Sequence, residues 1–107
     1  MGHFSSGGMN ELVRQAARMQ RKIDQVKKEF GDKEVSESFE SGKVIATATY
    51  AGKVSRVQVD PAFLESEGLE VTLDAVCVAA NAALETAKKG MDAELAKVTG
   101  GAKVPGL

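Results

Sequence analysis

The first third of the chain carries an uninterrupted heptad repeat of apolar residues. Alternating steps of three and four residues separate its members, which are Met9, Leu12, Ala16, Met19, Ile23, Val26 and Phe30. This spacing places all of them on one seam of an α-helix. The sequence therefore predicts a helix that packs along one side. We expect it to begin near Asn10 and to end at Phe30, because Gly31 suits a left-handed C-terminal cap.

The side of this predicted helix that lies opposite the seam is basic. Arg14, Arg21 and Lys28 lie directly opposite the seam, and Arg18, Lys22 and Lys27 flank them. Arg14, Arg18 and Lys22 form a row of like charges four residues apart, and each step destabilises a helix by about 0.2–0.5 kcal/mol. Contacts with phosphate groups would offset that repulsion. No aromatic residue is interleaved with the cations, so the pattern favours the backbone of duplex DNA over stacking on single-stranded bases.

Length and composition indicate one small domain whose core is built from small apolar residues. The 107 residues contain no Trp and only 5% aromatic residues. Because small side chains bury little area each, the composition favours an oligomer with a shared core. The net charge of −1 hides an uneven distribution. Residues 1–33 hold seven Lys or Arg against four Asp or Glu, whereas residues 34–74 hold three against eight.

After Gly31 the apolar period changes from that of a helix to that of a strand. Residues 35–39 alternate, residues 44–50 are rich in β-branched side chains, and residues 54–59 form a third strand that Pro61 closes. Short turns at Gly42 and Gly52 separate the three segments. The predicted fold class is therefore α+β, with a small three-stranded antiparallel sheet and two long helices.

The second long helix is predicted to follow an acidic loop at residues 65–70. Thr72 is a plausible N-cap, and the helix should run to Val98. Residues 73–84 are apolar nearly all round, so we expect the sheet to cover one side and a second chain to cover the other. Gly90 weakens a helix by about 1 kcal/mol relative to Ala, which predicts a mobile or bent distal half. The predicted domain spans residues 9–99, between a flexible start at 1–8 and a flexible tail at 100–107.

The sequence offers little chemistry for an enzyme. It holds one His, His3, and one Cys, Cys77, so no catalytic triad can be assembled. We expect Cys77 to be a buried inert thiol and Asn81 to be a buried hydrogen-bonding residue. We expect no catalytic residue, cofactor, metal or small-molecule substrate. A single cysteine is typical of a reducing compartment, which indicates the cytoplasm, and no apolar run approaches the roughly 20 residues of a membrane span.

Several segments, in this order and spacing, resemble the YbaB/EbfC family of small bacterial nucleoid-associated proteins over about residues 9–106. They are LVRQAARMQ at 12–20 with Lys22, the hairpin with Gly52, VQVDPAFL at 57–64, AANAA at 79–83, VTGG at 98–101 and Pro105-Gly106. The resemblance implies an α/β fold with long protruding helices in a tweezers-like homodimer. It also implies binding to double-stranded DNA and an influence on nucleoid organisation or gene expression.

By that resemblance, DNA contacts fall on the protruding helices. The residues concerned are Arg14, Arg18, Arg21, Lys22, Lys28, Lys88 and Lys89. Sequence specificity should be low, because no recognition-helix motif is visible. Two other interpretations remain open from the residues themselves. A basic helix face also serves solubility alone, and the heptad helices could instead dock on another protein.

Overall fold

Three helices and three strands make up the part of the chain that the computed structural model describes, which is the backbone of residues 2–100 and the side chains of residues 8–100. In chain order they are α1 (Gly2–Phe30), β1 (Glu34–Phe39), β2 (Val44–Thr49), β3 (Val54–Val59), α2 (Pro61–Glu67) and α3 (Leu69–Thr99). The strands form one antiparallel sheet in the order β1-β2-β3. This confirms the predicted α+β class with two long helices and adds a short third one.

The main core lies between the central strand and the first half of α3. On β2, Val44, Ala46 and Ala48 are fully buried, and small residues of α3, among them Ala79 and Ala83, face them. Side chains this small let the helix approach the sheet closely, which suits a sequence with few aromatic residues. The core is therefore formed by strand β2 and one stripe of α3, and α3 makes most of its sheet contacts with β1 and β2 rather than with β3.

The predicted acidic loop is helical, so this part of the prediction was wrong. Asp60 caps α2, since its carboxylate accepts a hydrogen bond of 2.9 Å from the backbone N–H of Ala62, and Pro61 occupies the first helical turn. Gly68, with a φ of 88°, separates α2 from α3. Helix α3 therefore begins at Leu69, and Thr72 lies inside it rather than capping it, with its hydroxyl donating to the carbonyl of Gly68 at 2.7 Å.

Helix α1 ends at Phe30 as predicted, but it begins at Gly2 rather than near Asn10. No proline interrupts the segment before Asn10, so the helical backbone continues through it. Gly31 is not in the left-handed conformation that the sequence predicted. A glycine is required at this position for a steric reason instead, because a Cβ atom there would lie 2.6 Å from the carbonyl oxygen of Lys27.

A second, smaller core joins α1 to the distal half of α3. Ile23 and Val26 of α1 are buried against Met91 and Leu95 of α3. This pair of helices, which we call the arm, makes the molecule long and narrow, with extents of 77 × 21 × 17 Å. Helix α3 passes through Gly90 without interruption and ends at Gly100, which adopts the left-handed conformation. The rest of the predicted tail, from residue 101 onward, lies outside the described residues.

Candidate nucleic-acid interface

The outer side of α1 carries the basic face, which consists of Arg14, Arg18, Arg21, Lys22 and Lys28. All five side chains are exposed. Burial of Ile23 and Val26 against α3 fixes the rotation of α1, so the opposite side of the helix must face away from the arm. The row from Arg14 to Lys28 is about 21 Å long at 1.5 Å per residue. The structure therefore brings together the five α1 residues that the sequence predicted.

Part of this positive charge is paired within α1. Glu11 lies 4.0 Å from Arg14 and 3.5 Å from Arg18, and all three side chains are at least half exposed. The row of like charges is thus less unbalanced than the sequence suggested. Among residues 8–100, no carboxylate lies within ion-pair distance of Arg21, Lys22 or Lys28. These three cations are the part of the basic face that is uncompensated in the described chain.

The two predicted lysines of α3 are exposed but paired. Lys88 lies 3.2 Å from Asp92, and Lys89 lies 3.4 Å from Glu85. Both are pairs between residues four positions apart on one helix, the arrangement that is typical of a solvated helix surface. The structure therefore places these lysines on the arm, as expected, but gives them weaker electrostatic support than Arg21, Lys22 and Lys28.

A cavity at the base of the arm contains a cation that sequence reasoning left outside the predicted site. Its volume is about 310 Å³, and its lining includes Lys27, Lys88, Tyr50, Leu84 and Met91. Lys27 was recognised as flanking the basic row. However, its helical position beside the seam turns it toward this cavity and away from the basic face. Lys33, the next cation along the chain, lies 5.5 Å above the ring of Tyr50.

An uncovered apolar face lies on the other side of the molecule, where α3 leaves β3 exposed. Val57 pairs with the buried Ala46 and so faces the α3 side of the sheet, yet 39% of it is exposed. On α3, Leu73 and Cys77 stand one helical turn apart, and Leu73 is 54% exposed. We call Val54, Val57, Leu73 and Cys77 the uncovered face.

Two residues of α3 differ from their predicted surroundings. Cys77 is exposed, not buried, because it lies on the side of α3 that the sheet does not cover. Asn81 is also exposed and makes no side-chain hydrogen bond among residues 8–100. Cys77 and Asn81 do have apolar neighbours in the sequence, which is why burial was predicted. A single chain, however, covers only one stripe of this helix.

Within residues 8–100, no cluster of three His, Cys, Asp or Glu side chains is placed to hold a metal ion. The helices within this part of the chain include none with an apolar stretch long enough for a bilayer. What the described residues present instead is a long arm with an exposed cationic side, mounted on a small sheet with an uncovered apolar face. These features define a small α+β protein with a long, partly basic helical arm.

Comparison with known proteins agrees with this class. The sequence profile of the YbaB/EbfC DNA-binding family matches residues 6–102, and the chain belongs to this family. A nucleoid-associated protein of Clostridium acetobutylicum is 31% identical over 104 residues, which cover 97% of this chain and 93% of that one. A nucleoid-associated protein of Thermoanaerobacter sp. strain X514 is 33% identical, covering 99% and 96%.

A solved structure shows the same fold. The crystal structure of an uncharacterised protein from Helicobacter pylori matches with a TM-score of 0.65 and 17% sequence identity. The match covers 76% of this chain and 85% of that chain. The combination of a small antiparallel sheet and a protruding helical arm is therefore a fold already observed by experiment.

Proposed function

We propose that this chain is a non-enzymatic, nucleoid-associated protein of the bacterial cytoplasm that binds duplex DNA as a homodimer. The observation that carries the proposal is the basic face of α1, a row about 21 Å long that is exposed along its length, on the side of the helix opposite the buried Ile23 and Val26. Membership of a DNA-binding family and the similarity to nucleoid-associated proteins support it.

Binding to phosphates follows from the charges on the arm. Arg21, Lys22 and Lys28 are free to contact DNA phosphates directly, and each contact releases condensed counterions from the duplex. Arg14 and Arg18 would exchange the carboxylate of Glu11 for a phosphate. Both kinds of contact position the protein without reading base edges, so sequence specificity is low.

The lysines of α3 contribute less to the proposed interface. Lys88 and Lys89 would first have to leave Asp92 and Glu85. Exposed pairs of this kind are worth about 0–1 kcal/mol each, so a phosphate can compete for these lysines at small cost. We place them at the edge of the interface rather than at its centre.

The homodimer would form through the uncovered face. This face consists of exposed apolar side chains at the edge of the main core, namely Val54 and Val57 on β3 and Leu73 and Cys77 on α3. A second copy offers the same apolar surface, so a twofold arrangement would bury both faces at once. The exposed edge of β3, which pairs only with β2, lies beside this face. Dimerisation would give the protein two arms.

Charge reversal on the basic face tests the proposed interface. Replacing Arg14, Arg18 and Arg21 with Glu should abolish binding to duplex DNA, measured by fluorescence anisotropy, because three attractive contacts become repulsive. The circular dichroism spectrum and the dimer mass should not change, since all three side chains are exposed.

The matched control for this variant carries the same change in charge elsewhere. Lys43, Lys53 and Lys97 are exposed and lie outside the basic face. Their replacement with Glu should weaken binding much less. Equal losses in the two variants would show that only net charge matters, and undiminished binding in the arginine variant would remove the basic face from the proposal.

A further inference from the structure

Tyr50 occupies the junction between the sheet and the arm. It follows strand β2 directly, and its side chain packs against both hydrophobic cores, the one under the sheet and the one in the arm. Its backbone N–H donates to the carbonyl of Lys33 at 2.9 Å, and the N–H of Ala51 donates to the carbonyl of Gly31 at 3.0 Å. These two bonds tie the end of α1 to the β2–β3 turn.

The ring of Tyr50 contacts the second helix of the arm at a glycine. A Cβ atom on Gly90 would lie 2.6 Å from the hydroxyl oxygen of Tyr50 and 2.7 Å from its Cε1 atom, closer than side chains approach one another. Gly90 is helical, so no unusual backbone angle requires glycine here. Glycine is required at position 90 because the ring of Tyr50 occupies the space that a side chain would need.

We propose that Tyr50 and Gly90 form a positioning pair that fixes the direction of the DNA-binding arm relative to the sheet. This proposal rests on the proposed function of α1 and extends it to residues outside the basic face. The backbone of Tyr50 is hydrogen-bonded to the segment that follows α1, and its ring packs against α3. One residue therefore fixes the position of both helices of the arm.

Arm direction matters because a dimer binds DNA with two arms at once. The second contact is strengthened by the first only when the geometry allows both arms to engage the same duplex. A small change of angle at the junction is magnified along α1, which is 29 residues long. Displacing the ring would therefore weaken DNA binding although no cation is touched.

The substitution Gly90→Ala tests the pair. Ala has a higher helix propensity than Gly, so α3 should stay helical, while the added methyl group displaces the ring. Tyr50 is the only tyrosine and the chain has no Trp, so near-ultraviolet circular dichroism reports on this ring. We expect the near-ultraviolet signal to be lost and the duplex affinity to fall about tenfold, which is 1.4 kcal/mol.

Gly8→Ala is the matched control. Gly8 is also a helical glycine, but nothing lies within 4 Å of the position where its Cβ would be placed. The same chemical change at Gly8 should leave both the tyrosine signal and the DNA affinity unchanged.

The double variant Tyr50→Ala/Gly90→Ala decides whether the two residues act as one unit. Once the methyl group added by Gly90→Ala has displaced the ring, removing the ring should cost no further affinity, so the double variant should match Gly90→Ala. If the double variant instead loses clearly more affinity than Gly90→Ala alone, the two residues act independently, and the proposed pair is contradicted. A Gly90→Ala variant that loses the tyrosine signal but keeps the DNA affinity within about twofold of the wild type would also overturn the proposal.

Hydrogen exchange separates this proposal from the proposed function. The α1 amides around Ile23 should exchange faster in Gly90→Ala than in Gly8→Ala, because the arm has lost its anchor. This measurement needs no DNA. Wild-type protein that fails to bind any duplex would refute the proposed function, whereas unchanged exchange around Ile23 in Gly90→Ala would refute the positioning pair.

Discussion

At the scale of single residues, Glu11 neutralises part of the positive charge on α1. Its carboxylate lies within 4.0 Å of two cations of the basic face, Arg14 and Arg18. The pairs are exposed, so each contributes little to stability. Their effect on binding is of similar size, because a phosphate must displace a carboxylate that is already in place.

Removing the charge of Glu11 should therefore strengthen DNA binding. We expect Glu11→Gln to raise the affinity for duplex DNA by about two- to fivefold, which corresponds to the loss of one or two exposed ion pairs. Binding measured by fluorescence anisotropy at fixed salt checks this. Glu65→Gln, the same change on α2, should leave the affinity unaltered, and an unchanged affinity in Glu11→Gln would show that the pairs do not compete with DNA.

Residue-level predictions from the sequence failed where burial depended on which side of a helix is covered. The composition around Cys77 and Asn81 correctly indicated an apolar half-helix. Both residues are nevertheless exposed, because the sheet covers only the stripe that contains Ala79 and Ala83. Periodicity identifies a helix, but it cannot say which of several apolar stripes meets a partner within the same chain.

At the scale of elements, the heptad repeat of α1 is used in two ways. Its second half, represented by Ile23, is buried against α3, whereas Met9 and Leu12 in its first half are 65% and 64% exposed. The repeat itself is uniform, so the sequence could predict the helix but not the point at which its partner stops. That point is set by the end of α3 at Thr99, beyond which α1 has no helix to pack against among the described residues.

Truncations at the two halves of the seam should have different costs. Ile23 is 1% exposed, so Ile23→Ala should destabilise the arm by about 2–5 kcal/mol. Leu12→Ala, at an uncovered position of the same seam, should change stability by less than about 0.5 kcal/mol. Denaturant unfolding and hydrogen exchange of α1 measure both effects. Equal costs would mean that a partner also covers Leu12.

Turn chemistry explains most of the rest of the fold. The three strands were predictable because β-branched residues and glycine turns coincide, and β3 has the predicted bounds Val54–Val59. Helix α2 was missed because the acidic residues that follow Pro61 resemble a solvated loop. The Asp60-Pro61 pair was interpreted as the end of a strand, although the same two residues also start a helix.

At the scale of the whole molecule, the arm and the sheet present different surfaces. The arm carries the cations, and the sheet end carries the uncovered apolar face. An exposed apolar face on a small domain is typical of an interface with another protein. In the proposed homodimer this face is buried, and the two arms project from a shared core.

One substitution in the uncovered face should separate the two subunits. Leu73→Asp should yield a monomer by light scattering, because it places a charge at the centre of the proposed interface. Cys77 should then react faster with a thiol reagent than it does in the wild type, since the partner no longer covers it. Val13→Asp, a control at an exposed apolar position of the arm, should remain a dimer. A dimeric Leu73→Asp variant would place the interface elsewhere.

The most direct test of the central claim is the affinity of the purified protein for unrelated DNA duplexes at several salt concentrations. Contacts between the basic face and phosphates predict a logarithm of the affinity that falls linearly and steeply with the logarithm of salt concentration. Similar affinities for all duplexes are expected, together with a dimer mass. Binding that does not respond to salt, or no binding at low salt by a folded dimer, would contradict the account and would favour docking of the helices on another protein.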